Sequence, residues 1–140
     1  MKGVMTMNEI YDFLNDCHFY YLLTIDGDYP SGRPISGILE SDGVIYFGTR
    51  TDKKVYRQLK ENSHAGLVAF NKGRWLRFYA DVEETKDESI RERYLERLPA
   101  EIKRFGTADN PLLAVFGFHI VKADLHAGEQ SEDIEIQTKE

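Results

Sequence analysis

Two adjacent lysines, Lys53 and Lys54, lie in the first turn of a segment that the sequence predicts as a helix over residues 52–61. The amino end of a helix is positive and favours acidic side chains, so two cations there are unfavourable. An anion bound at the helix start would make the two lysines favourable there. The alternative is that both lysines point into water and Asp52 offsets them. On charge alone, both interpretations stay open.

A phosphate at this position would find several further ligands. Backbone N–H groups at a helix start bind anions, and the hydroxyls of Thr49 and Thr51 precede the helix. Arg33, at the start of a nearby strand, could hold two phosphate oxygens in parallel. Neither GxGxxG nor GxxxxGK[ST] occurs, so the common nucleotide-binding loops are not indicated.

The charge distribution also favours a small anionic ligand. The chain of 140 residues carries a net charge of −6, yet residues 49–77 contain eight cations and two acids, which gives +6. The last segment, residues 128–140, contains five acids and one lysine, which gives −4. A nucleic-acid-binding domain is usually basic as a whole, so no nucleic-acid partner is expected.

Other reactive side chains give weaker signals. The single cysteine, Cys17, cannot form an internal disulfide, and its neighbour His18 is not placed by sequence alone to activate it. The histidines show no metal-binding spacing, so no metal site is predicted. His119 and His126 lie seven residues apart, which predicts opposite faces of one strand.

Alternating and helical patterns predict the elements that must position these residues. The strands are predicted at residues 19–25, 33–40, 44–49, 64–70, 74–84 and 112–125. The helices are predicted at residues 6–16, 52–61 and 88–98, with a further helical piece to 105. Thr6 and Glu9 have the spacing of a capping box at the first helix.

Six strands with hairpin links and short inserted helices predict a mainly β fold, an antiparallel barrel with flanking helices. The length suits one domain, residues 1–127, followed by an acidic and loose tail, residues 128–140. No apolar run is long enough for a membrane span, and no secretion signal is evident. A cytoplasmic protein with no membrane partner is therefore expected.

The order GRPIS, a hairpin, YFGTRT, DKKVYRQLKEN, AGLVAF and WLRFYADVE resembles the pyridoxamine 5′-phosphate oxidase-like family, the FMN-binding split β-barrels. The resemblance is close over residues 19–84 and follows element order elsewhere. It implies a homodimer with two FMN sites between the subunits. It also refines the fold prediction to a six-stranded antiparallel split β-barrel.

The resemblance implies a set of FMN-binding residues. Arg33, near the phosphate, would begin a segment lying along the flavin, and Trp75 would lie beside the isoalloxazine or ribityl chain. Arg77 would stabilise the reduced, anionic flavin. The full set is Arg33, Pro34, Ile35, Ser36, Gly48, Thr49, Thr51, Lys53, Lys54, Trp75 and Arg77. Phe116, Phe118 and His119 are candidates for the partner subunit's contribution.

The implied function is an FMN-dependent oxidoreductase that passes hydride or electrons from NAD(P)H or a protein donor to an unidentified small acceptor. No catalytic side chain is assigned. Ala80 stands where the family often has glycine, and no segment matches the one that holds pyridoxal phosphate, so vitamin B6 oxidation is not implied. The alternatives are a non-enzymatic flavin-binding, storage or sensor protein, a deazaflavin binder and a haem-binding split-barrel protein.

Overall fold

The computed structural model describes residues 3–137, which form a β-rich fold with four helices. The strands are β1 (Gly3–Thr6), β2 (Tyr20–Asp26), β3 (Tyr29–Ile35), β4 (Ile38–Ser41), β5 (Val44–Arg50), β6 (His64–Asn71), β7 (Arg74–Thr85), β8 (Leu113–Ala127) and β9 (Gln130–Gln137). The helices are α1 (Met7–Cys17), α2 (Lys54–Glu61), α3 (Glu88–Arg97) and α4 (Pro99–Phe105). No helix among the described residues is long and apolar enough to cross a membrane.

The strands form one sheet that curls without closing. The main order is β1-β9-β8-β7-β6-β2-β3, while β5 pairs with β8 and β4 pairs with β5. Strand β8 pairs with β5 over 113–118 and with β9 over 123–127, so the sheet divides along its length. Every pair is antiparallel except β1 with β9. The predicted antiparallel split barrel is confirmed.

The number of strands differs from the six expected, because the described residues form nine. The predicted strand over 33–40 is two strands, since Gly37 between them has a φ of 85° that breaks the extended backbone. The segment predicted as a loose tail contains β9, which pairs with β8 and β1 and buries Ile134. Residues 138–140 lie outside the described part of the chain.

The starts of α1 and α2 can be compared with those that the sequence predicts. At α1 the capping box is confirmed, with Glu9 N–H donating to Thr6 Oγ1 (3.1 Å) and Thr6 N–H donating to Glu9 Oε1 (2.8 Å). Helix α2 starts two residues later than predicted, at Lys54. Asp52 lies outside it, and its carboxylate is paired with Arg50.

The core lies on the concave face of the sheet and is closed by α1 and α2. Leu22, Leu67 and Phe78 are fully buried there. A second apolar cluster packs α3 and α4 on the far end of the sheet around Tyr94. There the buried Arg91 donates to the carbonyl oxygens of Ala108, Asn110 and Leu113. These bonds provide donors for backbone carbonyl groups in and next to the loop before β8.

A bulge in β8 changes which side chains face the convex side of the sheet, here called the outer face. Tyr79 pairs with Lys122 and Ala80 pairs with Ile120, so Val121 is one extra residue. A single inserted residue reverses the alternation of side chains beyond it. His119 and His126 therefore both lie on the outer face, and the prediction that they occupy opposite faces is wrong.

Candidate functional site

The start of α2 carries positive charge that the helix itself does not offset. Lys53 is the N-cap residue; its backbone is extended, and its side chain makes no capping hydrogen bond. No acidic residue lies in the first turn, and Lys53 and Lys54 are both exposed. The first N–H groups of a helix have no acceptor inside it. This end of α2 is therefore suited to binding an anion.

The end of β5 supplies the residues next to that helix start. Arg50 forms a two-point ion pair with Asp52, at 3.0 and 2.8 Å. Thr51 donates its N–H to the carbonyl of Leu112 (2.9 Å). Thr49 is half-buried. Arg50 is thus paired with Asp52. Among residues 3–137, neither Lys53 nor Lys54 has a carboxylate within 4.0 Å.

Gly48, on β5, has a packing role in the structure. A Cβ at this position would lie 2.6 Å from the ring and hydroxyl of Tyr94. Tyr94 is buried in the second apolar cluster. The structure thus gives Gly48 a reason to be glycine that is independent of a ligand, and its predicted role in FMN binding stays a prediction.

Arg33 lies on the core side of β3 and connects two strands to α2. Its guanidinium donates to Leu22 O (3.1 Å) and to Thr24 Oγ1 (2.9 Å). It also donates to Ser31 Oγ and to Gln58 Oε1, both at 3.0 Å. All four acceptors are neutral, and burial lowers the pKa of Arg33.

Gln58 and Thr24 are functional candidates that the sequence analysis did not identify. Both are buried, and Thr24 Oγ1 donates to Gln58 Oε1 at 2.6 Å. Gln58 lies one helical turn after Lys54, so Arg33 contacts the middle of α2 and not its first turn. A polar residue within the apolar run FYYLLTI was the available signal for Thr24.

The segment after Arg33 follows the open edge of the sheet. Pro34 and Ser36 are exposed and Ile35 is half-buried. Strand β3 ends the main strand order, so one of its edges has no neighbouring strand among the described residues. The backbone N–H and C=O groups on that edge are available to a ligand.

Trp75 and Arg77 lie on the outer face of β7, and both contact side chains of β8. Trp75 stacks on His126, with ring centroids 3.8 Å apart and planes within 5°. Arg77 pairs with Asp124 through two bonds of 3.1 and 2.8 Å. Burial disfavours ionisation of Asp124, yet hydrogen bonds from Arg77 and His126 outweigh it and lower the pKa of this carboxyl.

One chain does not bring the two groups of predicted residues together. Across the sheet, Pro34 pairs with Tyr21, Tyr21 with Val68, and Val68 with Arg77. Three strand spacings of about 4.8 Å separate Pro34 from Arg77, roughly 14 Å in all. The residues around α2 and the Trp75–Arg77 pair are thus two regions of the surface.

The candidates for the partner subunit's contribution divide in the same way. Phe116 and Phe118 are each 1% exposed and pack in the core, so their prediction as contacts across a subunit interface is wrong. His119 is exposed on the outer face, with Nε2 3.2 Å from Glu83 Oε1. It remains available to another molecule.

Part of the outer face exposes large apolar side chains. Phe19 and Tyr21 contact each other edge to face at 5.8 Å. The exposed large apolar side chains on this face are Phe19, Tyr21, Phe70, Tyr79 and Val121. A groove of ≈ 370 Å³ crosses it between Leu23, Gly66 and Tyr79. Such a patch marks an interaction surface.

Two more cavities lie elsewhere. One of ≈ 620 Å³ fills the division of the sheet between β8, β9 and the turn at Gly43. One of ≈ 270 Å³ lies between Tyr46, Thr85 and His119. None of the predicted FMN-binding residues lines these cavities or the outer-face groove. Among the described residues, no group of three or more His, Cys, Asp or Glu side chains could hold a metal ion.

Comparison with known proteins identifies the family of this chain. The family model described as pyridoxamine 5′-phosphate oxidase matches residues 6–127. No curated protein matches the chain. Of the solved structures, a NimC/NimA family protein from Clostridium acetobutylicum is 26% identical, with a TM-score of 0.83 and coverage of 91% of this chain and 92% of that one.

Two more distant structures share the fold. A protein related to general stress protein 26, of the pyridoxinephosphate oxidase family, from Clostridium acetobutylicum is 14% identical, with a TM-score of 0.73 and coverage of 91% and 92%. A heme binding protein from Mycobacterium smegmatis is 15% identical, with a TM-score of 0.70; the match covers 86% of this chain and 54% of that one.

Proposed function

This chain belongs to the pyridoxamine 5′-phosphate oxidase family, and on that premise we propose that it is an FMN-binding oxidoreductase. FMN would supply the electron chemistry, and the protein would bind and orient it. The reaction is hydride or electron transfer from NAD(P)H or a protein donor to a small acceptor.

The observation that carries this proposal is the start of α2. Lys53 and Lys54 have no carboxylate partner in residues 3–137, whereas the nearby Arg50 and Lys60 pair with Asp52 and Glu84. A helix start with two cations, free N–H groups and no acid is electrostatically unfavourable until a dianion binds. The FMN phosphate has that charge, so the residues present fit the group.

Other residues would complete the FMN site from both sides of α2. All four terminal N–H groups of Arg33 donate to neutral acceptors, so Arg33 would act on the phosphate through its uncompensated charge and not through the two parallel bonds expected from the sequence. Thr49 would donate a hydroxyl bond. The hydroxyl of Thr51 donates to Pro111 O at 3.3 Å in this structure and would have to exchange that bond for one to the phosphate. The open edge of β3 at Ile35 and Ser36 would offer backbone groups to the polar rim of the flavin ring.

The second half of the proposal is a homodimer joined through the outer face. This face exposes Tyr21, Phe70 and Tyr79 around an apolar groove, and no other element of residues 3–137 covers it. Trp75 and Arg77, roughly 14 Å from Pro34 within one chain, would then reach the flavin site of the other subunit. Both regions would contribute to each site.

The first experiment is an absorption spectrum of the purified protein, with mass analysis of whatever is released on denaturation. FMN is the expected ligand. A haem spectrum without flavin would overturn the proposal. Turnover of NAD(P)H with an artificial acceptor by the FMN-loaded protein distinguishes the oxidoreductase from a flavin-storage or sensor protein, for which no turnover is expected.

The dimer is tested by light scattering of the wild type and of a Tyr21→Glu, Phe70→Glu variant. The wild type should be a dimer and the variant a monomer. Ile102→Glu, at an exposed apolar residue of α4, is the control that should stay dimeric. A wild-type monomer with full FMN occupancy would contradict the proposed dimer.

Haem binding is a second candidate, favoured by one observation. The Mycobacterium smegmatis structure of the same fold is described as a heme binding protein. A haem site needs an axial ligand such as histidine. Three of the four histidines, His64, His119 and His126, lie against a carboxylate, of Asp81, Glu83 and Asp124 respectively, and the fourth, His18, is exposed at the end of α1. FMN remains the better fit because the cations at α2 have no such partner.

A further inference from the structure

A buried carboxylate near the end of β7, that of Glu84, attaches α2 to the sheet. Its side chain is only 3% exposed. Glu84 Oε1 accepts bonds from the Tyr56 hydroxyl (3.0 Å) and the Lys60 ammonium (3.1 Å), both on α2. Glu84 Oε2 accepts one from Lys86 (3.0 Å), in the loop between β7 and α3. Burial disfavours ionisation of Glu84, but these bonds outweigh it and lower the pKa of this carboxyl.

Polar contacts hold α2 on both flanks of its apolar side. Successive residues turn by about 100° around a helix axis, so Gln58 points roughly 200° away from Tyr56. Leu59, which is buried, points between them into the core. Glu84 binds Tyr56 on one flank, and Arg33 binds Gln58 on the other. Rotation of α2 about its own axis would stretch one of these contacts, so together they fix its orientation on the sheet.

The two contacts act on different parts of the helix. Gln58 lies in the middle of α2, whereas Tyr56 lies in the first turn, where its N–H donates to the carbonyl of the N-cap residue Lys53 at 3.1 Å. The Tyr56 ring also packs edge to face on Phe116 at 5.9 Å, and Phe116 lies opposite Glu84 in the pairing of β7 with β8. The ring and the hydroxyl of Tyr56 therefore both fix the first turn against the sheet.

We propose that Glu84 is a positioning residue for the phosphate of FMN, because it fixes the first turn of α2 through the hydroxyl of Tyr56. This inference rests on the proposed function, which makes FMN the ligand. Glu84 is an anion, so direct contact with a phosphate would be repulsive, and its effect is transmitted through the helix. The N–H groups and lysines at the helix start bind a phosphate well only when the residues behind them hold them in place.

The test is the ratio of FMN affinity to riboflavin affinity, since riboflavin lacks only the phosphate. A change that merely destabilises the fold lowers both affinities and leaves the ratio unchanged. Tyr56→Phe removes one hydroxyl without changing any charge, and it should lower the ratio roughly three- to tenfold, the scale of one hydrogen bond. Tyr11→Phe is the matched control, because that hydroxyl bonds Ile38 on β4 and Arg97 on α3. It should leave the ratio unchanged.

Glu84→Gln separates a positioning role from an effect of charge, because the two predict opposite signs. Removal of a negative charge near α2 would by itself favour an anion and raise the ratio. Loss of the fixed helix start lowers it, and we expect a fall of about tenfold. The double variant Tyr56→Phe, Glu84→Gln should fall no further than Glu84→Gln, because both changes remove the same contact. Should Glu84→Gln fail to fold, Tyr56→Phe and its control decide the question.

The outcomes separate this inference from the proposed function. A ratio unchanged in Tyr56→Phe, or lowered as much by Tyr11→Phe, would overturn the positioning role of Glu84 and leave FMN binding intact. So would a ratio that is unchanged or raised in a folded Glu84→Gln variant. A wild-type protein that binds neither flavin would overturn the proposed function, and this inference with it.

Discussion

Two cationic regions of this molecule differ in whether a carboxylate offsets their positive charge. At the start of α2, Lys53 and Lys54 are exposed and have no carboxylate partner in residues 3–137. On the outer face, Arg77 is paired in two-point geometry with the largely buried Asp124. The first region has positive charge without a partner among these residues, while the charges of the second offset each other.

The difference shows why a count of cations is a poor guide to a ligand site. Residues 49–77 contain eight cations, but Arg50, Lys60 and Arg77 have carboxylate partners, which leaves five. Of these, Lys53 and Lys54 stand at a helix start, where backbone N–H groups add to their field. Charge without a partner in the fold, beside unsatisfied donors, is the more specific signal.

The largest effect is expected from reversing the charge at α2 with Lys53→Glu and Lys54→Glu. Losing two charged bonds to a phosphate should weaken FMN binding about 100-fold or more. The same change should slightly raise the stability of the FMN-free protein, because acids suit a helix start, by ~0.3–1 kcal/mol each. Fluorescence titration with FMN and urea unfolding measure the two effects.

Arg57→Glu is the control for that experiment. Arg57 lies on the same helix, exposed and one turn further from its start. The change in charge per residue is equal, but the N–H groups are distant. A loss of FMN affinity as large as that of Lys54→Glu would show that general charge, and not the helix start, attracts the ligand.

The next effect concerns Arg33, which belongs to both the fold and the proposed site. Arg33→Met leaves Thr24 and Gln58 buried with fewer partners, which should cost roughly 1–3 kcal/mol of unfolding free energy. It should also weaken FMN binding. Arg91→Met, at a buried arginine that likewise bonds only neutral oxygens, should lower stability and leave FMN affinity unchanged. Equal effects of the two variants on FMN would remove Arg33 from the site.

A third prediction contrasts two ion pairs of similar geometry. Asp124 has a lowered pKa in the folded state, so its stabilisation is present above its unfolded pKa of about 3.9 and is lost as pH falls through the lower folded value. Asp124→Asn should therefore flatten the fall in stability between pH 5 and 2. Asp52→Asn should change it little, because its pair with Arg50 is exposed and screened.

The measurement is urea unfolding across that pH range. A wild type and an Asp124→Asn variant that lose stability in parallel would mean that the outer-face pair contributes no more than the exposed one. The outer-face pair would then not differ from an exposed ion pair, and the comparison with the start of α2 would lose its basis.

The smallest effect is that of salt. Exposed charges are screened over about 10 Å at 0.1 M salt and about 3 Å at 1 M. FMN affinity should therefore fall a few-fold between these concentrations in the wild type. It should vary less in the Lys53→Glu, Lys54→Glu variant. A wild-type affinity independent of salt would indicate that the phosphate is held by neutral groups.

What the sequence predicted well was local. The capping box of Thr6 and Glu9 and the alternation of residues 74–84 are confirmed, because each depends on neighbours in sequence. The mainly antiparallel character of the sheet is also confirmed, although its order was not predicted. The Asp-Gly turn at residues 42–43 also lies where expected, with positive φ at both positions.

What it missed depends on contacts between distant segments. The extra residue Val121 reverses the faces of β8, and only its pairing with β7 reveals this. Pairing with β8 and β1 orders β9 despite its acidic composition. Arg33 was expected near a phosphate, but its bonds to Gln58 become visible only when α2 packs against β2.

The central claim, that the start of α2 holds the phosphate of FMN, is tested most directly with riboflavin, which lacks only that phosphate. FMN should bind the wild-type protein at least about 100-fold more tightly than riboflavin, the scale of two charged hydrogen bonds. The preference should vanish in the Lys53→Glu, Lys54→Glu variant. Equal affinity of the wild type for both flavins would contradict it.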